Sequence, residues 1–116
     1  MLELTQKWIL KTLTSLGFKQ SDAMVYILLT KNSSQKARNI AQTLKTSERQ
    51  VYRSLKTLQV KGAVNASTER PAKFSALPFE KVLEALVKAN IEEVRIIEQK
   101  KNELLTEWQT LIKKTA

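Results

Sequence analysis

"KTSERQVYRSLKTLQVKG", residues 45–62, holds the start, both faces and the end of one helix. Ser47 stands where a side-chain oxygen caps a first turn, and Gln50, three residues on, completes a capping box. Lys61 and Gly62 mark the end: a base in the last turn, then the residue that most readily turns left-handed. Val51, Leu55 and Leu58 recur at helical spacing as one apolar stripe. At about 100° per residue, Arg49, Arg53 and Lys56 fall on the opposite side. The spacing predicts a helix over 47–61, anchored by one face and basic on the other.

The segment before it, "KARNIAQTLK" (36–45), places Ala37, Ile40, Ala41 and Leu44 at the steps 0, 3, 4, 7 of a short amphipathic helix. Only a polar Lys-Thr-Ser separates the two, so together they read as a helix-turn-helix. Further upstream, residues 3–16 carry Ile9, Leu13 and Leu16 on one face and stop at Gly17. Gln20 to Lys31 forms a second helix with Val25, Leu28 and Leu29 at core spacing, and "NSSQ" is a polar break. Asp22 near that helix's start and Lys31 near its end suit the macrodipole.

After Gly62 the period changes. "AVNAS" and "AKFSAL" alternate small or apolar residues with polar ones, and "TERP" between them supplies a turn. Val64, Ala66, Phe74 and Ala76 point inward on this reading, Lys73 and Ser75 outward. Pro71 cannot donate to a ladder and belongs at the turn or an edge. A two-stranded hairpin needs a helical layer beneath it. Arg70 and Lys73 near its tip favour a wing; the alternative is a hairpin that only lids the core. The fold class is mostly α with a small β-hairpin (α+β).

From Pro78 to the end the helix pattern has no breaker. Val87, Asn90, Val94, Ile97, Lys101, Leu104, Trp108 and Leu111 alternate steps of three and four, and six of the eight are apolar. That is a heptad seam sustained for more than three heptads. A helix over 79–113 is about 52 Å long, whereas a 78-residue core is only about 30 Å across. The expectation is a winged helix-turn-helix domain over 1–78 and a coiled-coil dimerisation helix over 79–116. Val87, Val94, Ile97, Leu104, Trp108 and Leu111 are the expected homodimer interface. Folding back on the N-terminal helix is the alternative cover.

Composition narrows the function. The chain has 116 residues, 42% of them apolar, with no Cys and no His. Common zinc sites and Ser-His or Cys-His nucleophile systems therefore cannot be built. Two glycines are too few for a phosphate-cradling loop or a dinucleotide fingerprint. Seven of the eleven acids lie in 80–107, interleaved with bases as on a solvated helix. An enzyme is not expected, nor a metal, cofactor or small-molecule ligand. No apolar run approaches the roughly 20 residues that span a bilayer, and the N-terminus is too amphipathic for a secretory signal. A cytoplasmic protein without membrane contact is expected.

The net charge of +9 is concentrated: +2 over residues 1–35, +7 over 36–73 and zero over 74–116. A field of that kind attracts polyanions, nucleic acid above all; a merely solvated basic face is the bland alternative.

"LGFKQSDAMVYILL", "ARNIAQTLKTSERQVYRSLKTLQVKGAV" and "RPAKFSALP" resemble the N-terminal winged-helix domain of archaeal TrmB-type transcription regulators, over about Leu16 to Leu86. The resemblance rests on the Leu-Gly pair, Ala23-x-Val25-Tyr26, Val51-Tyr52 and the Arg70-Pro71 turn leading to Ala76-Leu77-Pro78. It departs at Ser47, where Pro is typical, and at Lys36, where a small hydroxyl residue is usual. Larger members add a C-terminal sugar-sensing domain that a chain of this length does not contain, so a sugar response is not expected.

The resulting expectation is a homodimeric, sequence-specific regulator of transcription that binds double-stranded DNA. Arg49, Gln50 and Arg53 would reach base edges from the first turns of the recognition helix, with Lys56 on the same basic face. Lys36 and Arg38 would meet phosphates from a helix start. Arg70 and Lys73 would touch backbone or minor groove from the wing. Ser47 either contacts a phosphate or only caps. Tyr52, flanking the apolar stripe, reads as a packing residue, with base stacking as the alternative, and Trp8 and Trp108 as core or interface. The rival is a winged-helix adaptor that recruits transcription machinery without binding DNA.

Overall fold

The computed structural model describes residues 2–115. In chain order the elements are α1 (Leu2–Ser15), α2 (Gln20–Lys31), β1 (Gln35–Lys36), α3 (Ala37–Leu44), α4 (Glu48–Val60), β2 (Val64–Ala66), β3 (Lys73–Ala76), α5 (Phe79–Gln99) and α6 (Lys101–Thr115). The strands form an antiparallel sheet in the order β1-β3-β2, with Gln35 opposite Phe74 and Val64 opposite Ala76. β1 was not expected. Two residues are too few to show a strand's alternation, and this pair is extended because β3 gives it a ladder.

The core gathers residues from α1 to α4 and from the start of α5. Leu13, Tyr26, Ile40, Val51, Leu55 and Leu58 are almost wholly buried, and Phe18, Val64 and Phe74 close over them. Full burial of each Leu contributes about 1.5–3 kcal/mol. Leu28 is only half-buried at the core's margin, and Ala66, read as inward, is exposed. Ala66 ends β2 at the start of the hairpin loop.

Three helix ends share one geometry. After α1, Gly17 N–H bonds to Thr14 C=O and Phe18 N–H to Leu13 C=O. After α4, Gly62 and Ala63 repeat this pattern on Gln59 and Leu58, and after α3, Lys45 and Thr46 repeat it on Gln42 and Ala41. Each is a Schellman motif, whose turning residue is left-handed. Gly17 (φ 110°) and Gly62 (φ 74°) suit it, but Lys45 (φ 55°) is the only non-glycine residue with positive φ among the described residues. A side chain there costs about 1–2 kcal/mol, partly offset by the extra chain entropy that Gly would lose. Lys45→Gly is therefore expected to stabilise the fold by about 0.5–1 kcal/mol. Thermal unfolding followed by circular dichroism should show a midpoint raised by a few degrees; a lowered midpoint would refute this account of the turn.

Long-range polar contacts tie the elements together. The Tyr26 hydroxyl donates to Leu77 C=O at 2.8 Å, fixing α2 to the end of the wing, and burial pushes its pKa up to about 12. Lys61 Nζ donates to Gly17 C=O at 3.0 Å and lies 5.1 Å from the centre of the Phe18 ring. One base of the middle third is thus a structural clasp between the end of α4 and the α1–α2 turn.

The chain divides into two compact units, the first ending at Leu86 and the second beginning at Val87. The sequence reading ended the winged domain at Pro78; the first two turns of α5 extend the first unit, because Val82 and Leu86 are buried in its core. In the second unit the long C-terminal helix is present, with one irregular residue, Lys100, between α5 and α6. Lys100 N–H still bonds to Ile96 C=O and Leu104 N–H to Lys100 C=O. No Gly or Pro stands there. The irregularity falls in the polar run Glu98 to Glu103, every residue of which is exposed.

Candidate nucleic-acid interface

α4 begins at a made cap: Ser47 is extended (φ −80°, ψ 151°) and its hydroxyl accepts Gln50 N–H at 3.1 Å. Its inward stripe, Val51, Ser54, Leu55 and Leu58, is buried. That anchoring holds Arg49, Arg53 and Lys56 outward, all three exposed along one line of the helix, while Gln50 is half-buried beside them. The basic face sits on a rigid element.

A groove of about 820 Å³ lies beside the start of α4, lined by Lys36, Arg38, Glu48, Tyr52, Pro71 and Lys73 among others. Three cations and one acid meet there, from three separate segments of the chain. Lys36 and Lys73 are direct partners across the β1–β3 pair, and like charges placed opposite one another destabilise a sheet. Glu69 lies 4.0 Å from Lys73, too exposed to offset much of that repulsion. An anion in the groove would relieve it.

Lys36 caps α3 with its backbone only, since no side-chain cap bond forms. The wing's tip, residues 67–72, is closed by Ser67 N–H to Lys73 C=O at 2.8 Å and Lys73 N–H to Ser67 Oγ at 2.9 Å. Arg70 is exposed at that tip, outside the groove lining. The nine candidate residues thus fall into two adjoining sets, α4's outer line with its cap and the groove, with Arg70 apart.

Two further residues stand beside the candidate set. Tyr52 is 46% exposed, and its ring packs edge-on against Phe74 with centroids 6.2 Å apart. Lys45 lies exposed in the turn between α3 and α4. A count of turning residues finds Gly at two helix ends and none here, which is the available signal.

In the second unit, Val87, Val94, Ile97, Leu104, Trp108 and Leu111 are each 39–55% exposed. Ile91, Leu105 and Ile112 are exposed beside them. In heptad terms these occupy the position after d, and they widen the apolar seam in three of its four heptads. Trp8 of α1 is 74% exposed. Among the described residues no helix is long and apolar enough to cross a membrane.

A helix-turn-helix whose second helix presents a basic face, backed by a small antiparallel sheet, defines a winged-helix protein. Residues 13–80 match the family described as sugar-specific transcriptional regulator TrmB, and the chain belongs to that family. No curated protein matches it. Of solved structures, the archaeal chromatin protein TrmBL2 is similar at 17% identity and a TM-score of 0.74, over 97% of this chain and 44% of that one. A possible transcriptional regulator from Methanosarcina mazei matches at 15% identity and 0.63, over 78% of this chain and 82% of that one. A mutant of S. aureus MepR, bound to an oligodeoxyribonucleotide, matches at 13% and 0.56, over 100% and 94%. At such identities the likeness is one of fold.

Proposed function

We propose that this chain is a non-enzymatic regulator of transcription that binds double-stranded DNA sequence-specifically as a homodimer. α4 enters the major groove, and the wing meets backbone or minor groove. The observation that carries this reading is the line Arg49, Arg53 and Lys56, exposed on a helix whose other face is locked into the core. The groove lined by Lys36, Arg38 and Lys73 adjoins that line along Glu48 and Tyr52 and would supply phosphate contacts. Membership of a family of transcriptional regulators supports it, as does the DNA-binding mode named for TrmBL2. The apolar stripe of the second unit supplies the dimer contact, two copies covering each other's seams.

Such binding is electrostatic at root. If each protomer neutralises about four phosphates, a dimer releases cations from about eight, and log affinity falls against log salt with a slope near −7. Fluorescence anisotropy on labelled genomic duplexes, titrated from 50 mM salt upward, measures it, and sequencing the fragments retained by purified protein gives the preferred site. A protein with no affinity for any duplex at 50 mM salt is the adaptor instead.

A further inference from the structure

We infer that Tyr52 contacts DNA in its own right, its hydroxyl donating to a backbone phosphate oxygen held in the groove by Lys36, Arg38 and Lys73. The inference rests on the duplex-binding reading above and adds to it an uncharged contact. At about 100° per residue, Tyr52 lies about 60° round α4 from Arg49 and about 60° from Leu55. It stands on the border between the basic line and the core stripe. The fold uses both sides of that border. The ring's edge-on contact with Phe74, itself 5% exposed in β3, braces the wing against α4. The rest of the ring remains open, 46% of the residue exposed, in the wall of the groove. Among the described residues nothing takes the phenol as a hydrogen-bond partner.

A phosphate seated between Lys36 and Lys73 would relieve the repulsion of that cross-strand pair. It would also present acceptor oxygens to a donor whose ring is already immobilised. Tyrosine supplies such a donor at little entropic cost, having two side-chain torsions of which the ring contact fixes both. The backbone of duplex DNA is the occupant because the groove adjoins the outer line of α4, so one ligand can engage both at once.

Charge and hydrogen bonding separate cleanly in the test. Tyr52→Phe keeps the ring and its contact with Phe74 but removes the donor. Its thermal midpoint should equal that of the unaltered protein, and its affinity should fall about tenfold on every duplex sequence. The salt slope should not change, because a neutral donor displaces no cation; Lys73→Ala, in contrast, should flatten the slope by about one unit per site. Tyr52→Leu, which also removes the ring's brace, should bind no better than Tyr52→Phe. Undiminished binding by Tyr52→Phe overturns the inference while leaving the duplex-binding reading intact. A flattened slope in Tyr52→Phe also overturns it, because the phenol would then act by placing a cation. If the unaltered protein itself fails to bind duplex DNA, both fall together.

Discussion

Val94→Asp with Ile97→Asp is expected to turn a dimer into a monomer and to lower duplex affinity at least a hundredfold. Both residues are half exposed in the unit that begins at Val87 and take no part in the buried core of the first. In a covered seam each carboxylate would be buried without a partner, at a cost of several kcal/mol. Two such charges exceed what an interface of this length can absorb. The winged domain should stay folded, because Val25, Ile40, Val51, Leu55 and Leu58 keep all their neighbours. Affinity falls because the second half-site is no longer delivered at the effective concentration of a tethered module, and avidity of that kind is worth about 10²–10⁴. Light scattering and anisotropy on one sample read both effects, with circular dichroism as the check on folding. A double variant that remains dimeric places the interface elsewhere, with exposed Trp8 on α1 the first surface to examine. One that becomes monomeric at full affinity shows that each wing acts alone.

The second large effect belongs to Arg53. Arg53 is exposed on the outer line of α4, one turn after Arg49; in the proposed docking its guanidinium would span the acceptors of a guanine edge. Arg53→Ala should cost about 1–3 kcal/mol on the preferred sequence and much less on others, so that discrimination collapses along with affinity. Lys73→Ala, in the wing, should weaken all sequences alike. Competition titrations with the preferred duplex and a shuffled one distinguish the two patterns. Equal, sequence-independent losses from both variants would show that Arg53 reads no base.

What could be read in advance follows the range of the interactions involved. The basic line of α4 was legible because a helix fixes the angle between residues by local geometry alone, and Ser47 and Gly62 announce its ends. The groove was not. Lys36 and Lys73 are distant in sequence and meet only because a two-residue strand pairs with β3. Tyr52 was judged by its proximity to the core stripe, but its exposure depends on how far the wing stands from α4. Its ring leans on Phe74, yet nothing local to α4 says so.

The tail divides in the same way. Its apolar repeat was plain in the sequence, since heptad spacing is a local pattern. Whether a given apolar residue finds its cover at home or in a neighbour is not local: Val82 and Leu86 are buried in the winged domain, while Val87 onward stays open. By itself, then, the sequence determined the helices, the helix-turn-helix, the basic field and the apolar seam, all set by periodicity, caps and charge over a few turns. Tertiary structure alone decided that Lys61 serves as a clasp and that three cations share one groove. Each of those depends on contacts between segments whose separation along the chain carries no pattern, and only packing against a common core brings them together.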